Sequence, residues 1–239
     1  MERPLRASGF IGLATVACAI VVTVLSPVSM GSMPEGLRTP VIAFELAATT
    51  DEIEVMFGPR HSPERTRWVS QMRAGTYLDF GLLALYSLFL ASVARGLLPA
   101  LEAAGRLRDP SFNALRRTRA AVTVAFAAAG LDVLENRELL VILDRLSANL
   151  GGYEDALARL QWLVWSKWMG LAAWFALLAP ELIRARGALR IAAFAGLTAA
   201  LASVLAVAQR GIAAEVMALG IAIGMVALVP GCLRPLKAP

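Results

Sequence analysis

Histidine and cysteine are scarce in this sequence, and their scarcity narrows the chemistry open to the chain. The 239 residues contain one histidine, His61, and two cysteines, Cys18 and Cys232. A single histidine excludes bis-histidine haem ligation, a histidine-rich zinc or copper site and a zincin motif. The cysteines fall at different predicted depths, so we expect unpaired thiols. No nucleophile elbow, P-loop or dinucleotide-binding glycine motif is present. We therefore predict no metal site and no cofactor; carboxylate chemistry remains possible.

Charged residues are also scarce, and this places the chain in a membrane. Hydrophobic residues make up 58% of the sequence and charged residues 17%, with a mean hydropathy of +0.64. A helix that crosses a hydrocarbon core of roughly 30 Å needs about 20 apolar residues. Six stretches qualify: 10–28, 74–98, 120–143, 160–179, 189–208 and 212–229.

These runs are too long and continuous for barrel strands, which alternate over about ten residues. The sequence predicts an all-α polytopic membrane protein, a single transmembrane domain over 1–239 with six spans. Arg3 and Arg6 before the first run also fit a signal peptide in residues 1–31, but the run is long and no Ala-x-Ala site follows. We expect an uncleaved first span.

The basic residues indicate an orientation. If the N-terminus is cytoplasmic, thirteen Lys and Arg lie inside, Arg3, Arg108 and Lys237 among them, and eight lie outside. The positive-inside rule then places both termini in the cytoplasm. The net charge of +5 is thus a topology signal, and no nucleic-acid partner is expected. The inner loop 99–119 is predicted to hold a partial helix that ends at Asp109.

The outer segment 29–73 is the longest connection and is predicted to carry a short amphipathic helix. Thr50 can cap this helix, Gly58 ends it, and Ser62 followed by proline begins the helix that becomes span two. We favour a connector lying on the outer membrane surface. The alternative is a lid with Phe44 and Glu45 pointing into the bundle.

Spans five and six carry small residues at helical spacing, and only a short turn joins them. Such faces let helix backbones approach closely in lipid. We expect this pair to pack as a hairpin, with a homodimer face as the alternative. The small residues are Ala192, Gly196, Ala200, Gly220 and Gly224.

An unusual group of polar residues interrupts span three. At 100° per residue, Asp132, Glu135 and Asn136 share one face of the helix. At 1.5 Å per residue, Asp132 lies about 18 Å and Glu135 about 22 Å from the predicted inner end. Arg137 and Glu138 point elsewhere and are expected to mark a wetter outer end of the span.

Other spans hold polar groups at similar depth, notably Asp79 and Tyr86 on span two and Lys167 on span four. A charged group at the bilayer centre costs about 2.5–3.5 kcal/mol on insertion scales. We therefore predict an outward-facing cavity between spans two, three and four, with Lys167 or Arg137 as counter-ion. Structural ion pairs, Asp132–Lys167 or Asp79–Arg137, are the equal alternative.

Three tryptophans of span four are interpreted as an interfacial belt rather than a cofactor cage. They are Trp162, Trp165 and Trp168.

The stretches FELAATTDE, YLDFGLLALYS and GLDVLEN resemble segments of uncharacterised bacterial multi-pass membrane proteins. The resemblance covers about residues 41–140 and brings no known activity. It implies a bacterial inner-membrane location. It also singles out five polar residues: Glu45, Asp79, Asp132, Glu135 and Asn136.

Three functions remain open from the sequence. The first is binding or transport of a small molecule or ion through the carboxylate-lined cavity, by a protein that lies in the lipid bilayer and is able to form homo-oligomers. The second is a structural or assembly subunit whose charges form ion pairs. The third is an intramembrane enzyme that modifies a lipid or isoprenoid through acidic residues.

Overall fold

The computed structural model describes residues 5–107 and 110–234, and this part of the chain contains helices and short connections but no strand. Arg3, Arg108, Asp109 and Lys237, which enter the predictions above, lie outside the described residues. The described helices are α1 (Arg6–Leu25), α2 (Pro40–Glu45), α3 (Thr50–Phe57), α4 (Pro63–Ala103), α5 (Phe112–Ser147), α6 (Glu154–Ala185), α7 (Gly187–Ala208) and α8 (Arg210–Leu233).

Five of these helices, α1, α4, α6, α7 and α8, are long and apolar enough to cross a membrane. They indicate a membrane-embedded, all-helical protein, which confirms the predicted class. Helix α5 has 36 residues, but it is not among the five. Its charged residues interrupt the apolar run, so length and composition support five spans rather than the predicted six.

Local capping explains where two helices begin. The Ser62 hydroxyl accepts the backbone N–H of Arg65, and Pro63 occupies the first turn of α4, as predicted. Helix α3 is capped by Thr49, whose hydroxyl accepts the N–H of Glu52. The predicted cap, Thr50, is therefore wrong by one residue. Gly58, with φ of 73°, ends α3 in a conformation that favours glycine.

The six long helices form a closed ring in which each packs against the next, in the order α1, α4, α5, α6, α7, α8 and back to α1. Contacts between α4 and α5 join Tyr86 to Asp132 near the middle of both helices and Arg73 to Asp144 near the end covered by the cap segment. Residue numbers rise on one helix as they fall on the other, so the two helices are antiparallel.

Aromatic rings fill the interior where glycines make room. A Cβ on Gly224 would lie 2.7 Å from the Phe175 ring, and one on Gly196 would overlap the same side chain. A Cβ on Gly220 would lie 2.9 Å from the Ala195 carbonyl oxygen of α7. Gly220 thus faces the predicted hairpin partner, whereas Gly196 and Gly224 receive a ring from α6.

Residues 37–57, which we call the cap segment, close one end of the ring. Its α3 side chains Ile53, Met56 and Phe57 are fully buried, and Phe44 of α2 is 2% exposed. Burial this complete contradicts the favoured prediction of a connector lying on the membrane surface. The apolar face of the segment packs against the bundle instead, in one buried cluster with residues of α4, α5 and α6 that include Val69, Ile142 and Leu160.

Polar contacts attach the cap segment to two long helices. The Glu215 carboxylate of α8 accepts the backbone N–H groups of Arg38 and Thr39 at 2.7 and 2.8 Å. Arg210, at the start of α8, donates to the Leu46 carbonyl at 2.7 Å. Gln161 of α6 donates to two carbonyl groups that follow α2. These bonds satisfy backbone groups at both ends of α2.

Candidate functional site

The ammonium group of Lys167 lies at the centre of the buried polar residues. Its Nζ is 2.7 Å from Glu135 Oε1, 3.3 Å from Glu45 Oε2 and 3.4 Å from Asp132 Oδ1. Lys167 is 5% exposed and Glu135 is fully buried. Two long helices, α5 and α6, therefore bring charged groups together inside the protein, and Glu45 of the cap segment joins them.

Neutral side chains hold these charges in place. The Tyr86 hydroxyl donates to Asp132 Oδ2 at 2.9 Å, and the Trp168 indole donates to Glu45 Oε2 at 3.2 Å. The Lys167 ammonium also lies 4.9 Å from the Trp168 ring centroid, a cation–π distance. The two hydrogen bonds each fix a carboxylate from another helix, whereas the cation–π contact joins neighbouring residues of α6.

A second pair lies beside this centre. The Asn136 amide donates to Asp79 Oδ2 at 2.8 Å. A cavity of about 40 Å³ next to them is lined by Glu45, Ser26 and Thr76 as well. A volume of this size holds a water molecule or a small ion and excludes an organic molecule.

The position of the cavity differs from the prediction. Its lining comes from α1, α2, α4 and α5, with no residue from α6, and the cap segment lies over it. Glu45 reaches both the cavity and Lys167, because α2 inserts at the end of the ring. The less favoured interpretation, with Phe44 and Glu45 pointing into the bundle, agrees with this geometry.

We call the seven residues of this site the Lys167 cluster. All seven were candidates from the sequence. The α5 members share a helix face, the α4 and α6 members were predicted at similar depth on neighbouring helices, and Glu45 came from the alternative lid interpretation and the resemblance. The Lys167 cluster comprises Glu45, Asp79, Tyr86, Asp132, Glu135, Asn136 and Lys167.

The Lys167 cluster contains more acidic than basic side chains. Four carboxylates share one ammonium, and Asp132 Oδ1 and Glu135 Oε2 are buried without a hydrogen bond. Asp132 Oδ1 lies within ion-pair distance of Lys167, but the angle does not make a hydrogen bond. Because an unpaired buried charge is costly, an additional proton or cation would stabilise this arrangement.

Burial changes the pKa of Glu45, the carboxyl that the cap segment contributes to the Lys167 cluster. Burial raises the pKa of Glu45 above its ordinary value, while the charge of Lys167 opposes the shift. The neighbouring charge of Asp132 raises the pKa further. Glu45 therefore holds a proton to higher pH than an exposed glutamate does.

Two predictions about α5 charges are wrong. Arg137 is exposed and forms no ion pair within the described residues, because Asp79 accepts the Asn136 amide instead. Glu138 does not mark a wet helix end: it is 5% exposed and accepts from Arg159 at 2.9 Å.

The predicted tryptophan belt divides into two environments. Trp162 is 80% exposed, as expected of an interfacial residue. Trp168, two turns further along α6, is partly buried and bonds to Glu45.

Sequence reasoning missed a further buried carboxylate outside the Lys167 cluster, Glu181. This side chain is fully buried, and Arg117 of α5 donates to it near the opposite end of the ring. The predicted fourth span ended at 179, whereas α6 continues through Pro180 to Ala185. Glu181 follows Lys167 by fourteen residues, about four helical turns, so helical phase alone could have placed both on one face.

Among the described residues, no group of three or more His, Cys, Asp or Glu side chains is placed to hold a metal ion.

Known proteins add no further information about the site. Comparison of the chain with protein-family models, curated proteins and solved structures found no match.

Proposed function

We propose that this membrane protein binds a proton or a small cation at the Lys167 cluster and exchanges it with the outer side of the membrane. The observation that carries the proposal is the excess of acid: three carboxylates lie within 3.4 Å of one buried ammonium, and a fourth, Asp79, lies beside them on Asn136. Ionisable groups at membrane depth are costly and are usually retained for ion or proton movement. The small cavity beside Glu45 and Asp79 supplies the space.

The proposal includes six membrane spans, with α5 as the sixth. Helix α5 packs between α4 and α6, both of which are candidate spans. Its buried polar side chains, among them Asp132, Glu135 and Asn136, face these neighbours. Its outer side exposes the apolar Val133, Leu134 and Val141, with Arg137 as the one charged residue among them. A helix with this distribution fits lipid on one side and protein on the other.

The orientation follows from the basic residues. With both termini in the cytoplasm, the cap segment lies on the outer side and the Arg117–Glu181 pair on the inner side. The resemblance noted above supports the inner membrane of a bacterium as the location. A homo-oligomer remains part of the proposal.

Binding is better supported than transport through the whole bundle. Between the Lys167 cluster and the inner end, the interior holds the fully buried side chains of Phe89, Trp174 and Phe175. These rings form an apolar core that no polar path crosses among the described residues. Transport would require this core to open, whereas outer-side exchange requires movement of the cap segment alone.

A structural role is the second candidate, because one observation favours it. Lys167 and Glu135 approach to 2.7 Å, a good ion-pair geometry that ties α5 to α6. An assembly subunit would use the cluster in this way. The third interpretation, a lipid- or isoprenoid-modifying enzyme, stays a prediction.

The test measures proton release on cation addition. Purified protein in weak buffer with a pH dye is titrated with Na⁺ or K⁺ between pH 5 and 9. The variants are Glu45→Gln and Asp79→Asn, and Glu102→Gln is the control because it removes an exposed acid from α4. We expect cation-dependent proton release from the wild type and the control, and loss of it in both cavity variants.

Proton release and thermal stability, measured on the same proteins in liposomes, distinguish ion binding from a structural role. Folded wild-type protein that releases no protons and shows no ion-dependent change in thermal stability would contradict the ion-binding proposal. That result would leave the structural role as the better interpretation.

A further inference from the structure

A second cavity lies at the end of the ring away from the cap segment. It is a groove of about 490 Å³ between α1, α4 and α5. Cavities of about 300–1,000 Å³ are typical of ligand sites. The groove is lined mainly by apolar residues, and none of them belongs to the Lys167 cluster.

Small residues create the groove, and large ones form its walls. Ala7 and Ser8 on α1 and Ala91 and Gly96 on α4 leave space between the two helices. Further residues with large side chains stand around this space: Ile11, Leu88 and Phe126. Leu88 is 51% exposed and Phe126 is 46% exposed, so the groove opens on the outward face of the bundle. In a membrane this face meets lipid chains.

One cation lines the groove near the inner end of α4. Arg95 is exposed and forms no ion pair among the described residues. Pro99, one turn further along α4, has no N–H, so the Arg95 carbonyl lacks its helical donor. The Ser92 hydroxyl lies one turn before. The groove thus combines an apolar floor with a free guanidinium, an under-bonded carbonyl and a hydroxyl.

A neighbouring basic residue reinforces the positive charge. Arg119 lies two turns before Phe126 on α5, close to the same helix face, and is exposed. Arg6 of α1 does not contribute, because its guanidinium lies over the Phe10 ring at 5.9 Å, on the side of α1 away from the groove. Two arginines from adjacent helices, Arg95 and Arg119, therefore flank one end of an apolar groove.

We propose that this groove binds one anionic phospholipid, with its phosphate at Arg95 and an acyl chain along Ile11, Leu88 and Phe126. The guanidinium matches the geometry of a phosphate group, and the unpaired positive charge favours a headgroup with a net negative charge over a zwitterionic one. Basic pockets between membrane helices bind anionic headgroups in this way. The Arg95 carbonyl and Ser92 would bond to hydroxyl groups of the headgroup or glycerol.

Native mass spectrometry of the full chain in detergent tests the proposal by counting bound lipids. The protein is titrated with phosphatidylglycerol or with phosphatidylcholine of the same chain length. Wild type, Arg95→Gln and Ala7→Trp are compared with Arg190→Gln. The control removes an exposed arginine near the start of α7, outside the groove.

We expect the first phosphatidylglycerol to bind more tightly than phosphatidylcholine. Arg95→Gln should weaken it roughly tenfold, the equivalent of one charge-assisted hydrogen bond. Arg190→Gln should leave it unchanged, and Ala7→Trp, which fills the groove from an exposed position, should weaken both lipids.

Three results would overturn the proposal. They are equal binding of the two lipids by the wild type, equal losses in Arg95→Gln and Arg190→Gln, and a dimer that Ala7→Trp disrupts while lipid binding stays the same. The last would show that a second copy of the chain covers the groove. Thermal unfolding of each variant verifies that it is folded.

Discussion

Two buried charged sites on α5 and α6 differ in their ratio of acidic to basic groups: one lies near the middle of these helices and the other at the end away from the cap segment. The Lys167 cluster combines four carboxylates with one ammonium. About 21 Å further along α6, Glu181 has the reverse ratio, with Arg117 and Arg184 both within ion-pair distance of one carboxylate.

Solvent access explains why the two ratios have different consequences. The Arg117 and Arg184 side chains are 31% and 51% exposed, so water stabilises the excess positive charge. The Lys167 side chain is 6% exposed, and its carboxylate partners are buried as well. We therefore interpret the Glu181 site as a structural contact, whereas we propose that the excess acid of the Lys167 cluster is balanced by a proton or cation.

Removing the central lysine should have the largest effect. Lys167→Met leaves the carboxylates without a counter-charge, and breaking a buried pair in this way costs about 3–5 kcal/mol. Adding Glu135→Gln should recover part of the loss. Thermal unfolding in detergent near neutral pH measures both, with Arg137→Met as control because that cation is exposed and unpaired. A Lys167→Met protein as stable as wild type would contradict the central role of the lysine.

Glu181→Gln should have a smaller effect, since the arginines it strands can reach water. We expect a loss of about 1–3 kcal/mol from one buried, charge-assisted hydrogen bond. Arg184→Gln is the matched control: its contact with Glu181 is 3.8 Å long and half-exposed, so the change should stay within about 0.5 kcal/mol. Equal losses from the two variants would contradict this ranking.

Loosening the cap segment should affect local opening more than global stability. Glu215→Gln weakens the bonds to the N–H groups of Arg38 and Thr39 and should cost about 1–2 kcal/mol, as loss of a helix cap does. Hydrogen exchange should become faster over 38–46 and stay unchanged over α6. Glu64→Gln, an exposed acid at the start of α4, should leave exchange in the cap segment unchanged.

The smallest effects concern two carboxyls of the cap segment that respond oppositely to pH. Burial opposes ionisation of Glu54, but the hydrogen bond and charge of Arg65 outweigh it and lower its pKa. Its stabilising contribution is present above the unfolded value and is lost as pH falls through the lowered pKa. The raised pKa of Glu45 has the reverse sign: stability is lost as pH rises from the unfolded value toward the folded one.

Unfolding midpoints between pH 3 and 9 separate these contributions. Glu54→Gln should remove part of the loss at acid pH, and Glu45→Gln should remove part of the loss as pH rises above about 4.5, the ordinary value for glutamate. Asp51→Asn, an exposed acid of the same segment, is the control. If the unfolding midpoint depended on pH in the same way in all three variants, the opposite pKa shifts of Glu54 and Glu45 would be contradicted.

Local patterns in the sequence predicted the helical membrane class, because about 20 apolar residues suffice to identify a span without knowledge of its neighbours. The start of α4 followed from Ser62 and Pro63 for the same reason: a cap acts within one helical turn. The shared face of Asp132, Glu135 and Asn136 followed from the period of the helix.

Partners of the polar groups depended on how separate helices pack. Helical phase placed Lys167 at the right depth but did not show that Glu135 lies closer to it than Asp132, or that Asp79 contacts Asn136 rather than Arg137. Those choices depend on register and rotation between α4, α5 and α6, which no single-helix pattern contains.

The sequence by itself determined which segments are helical and apolar and which residues carry charge into them, since each property depends on a few neighbouring residues. The tertiary structure alone decided that the cap segment inserts Glu45 beside Lys167, more than a hundred residues away in the chain. Burial of Phe44, Ile53 and Phe57 positions that carboxylate. Apolar packing over long sequence separations, rather than any local preference, thus completes the charged site.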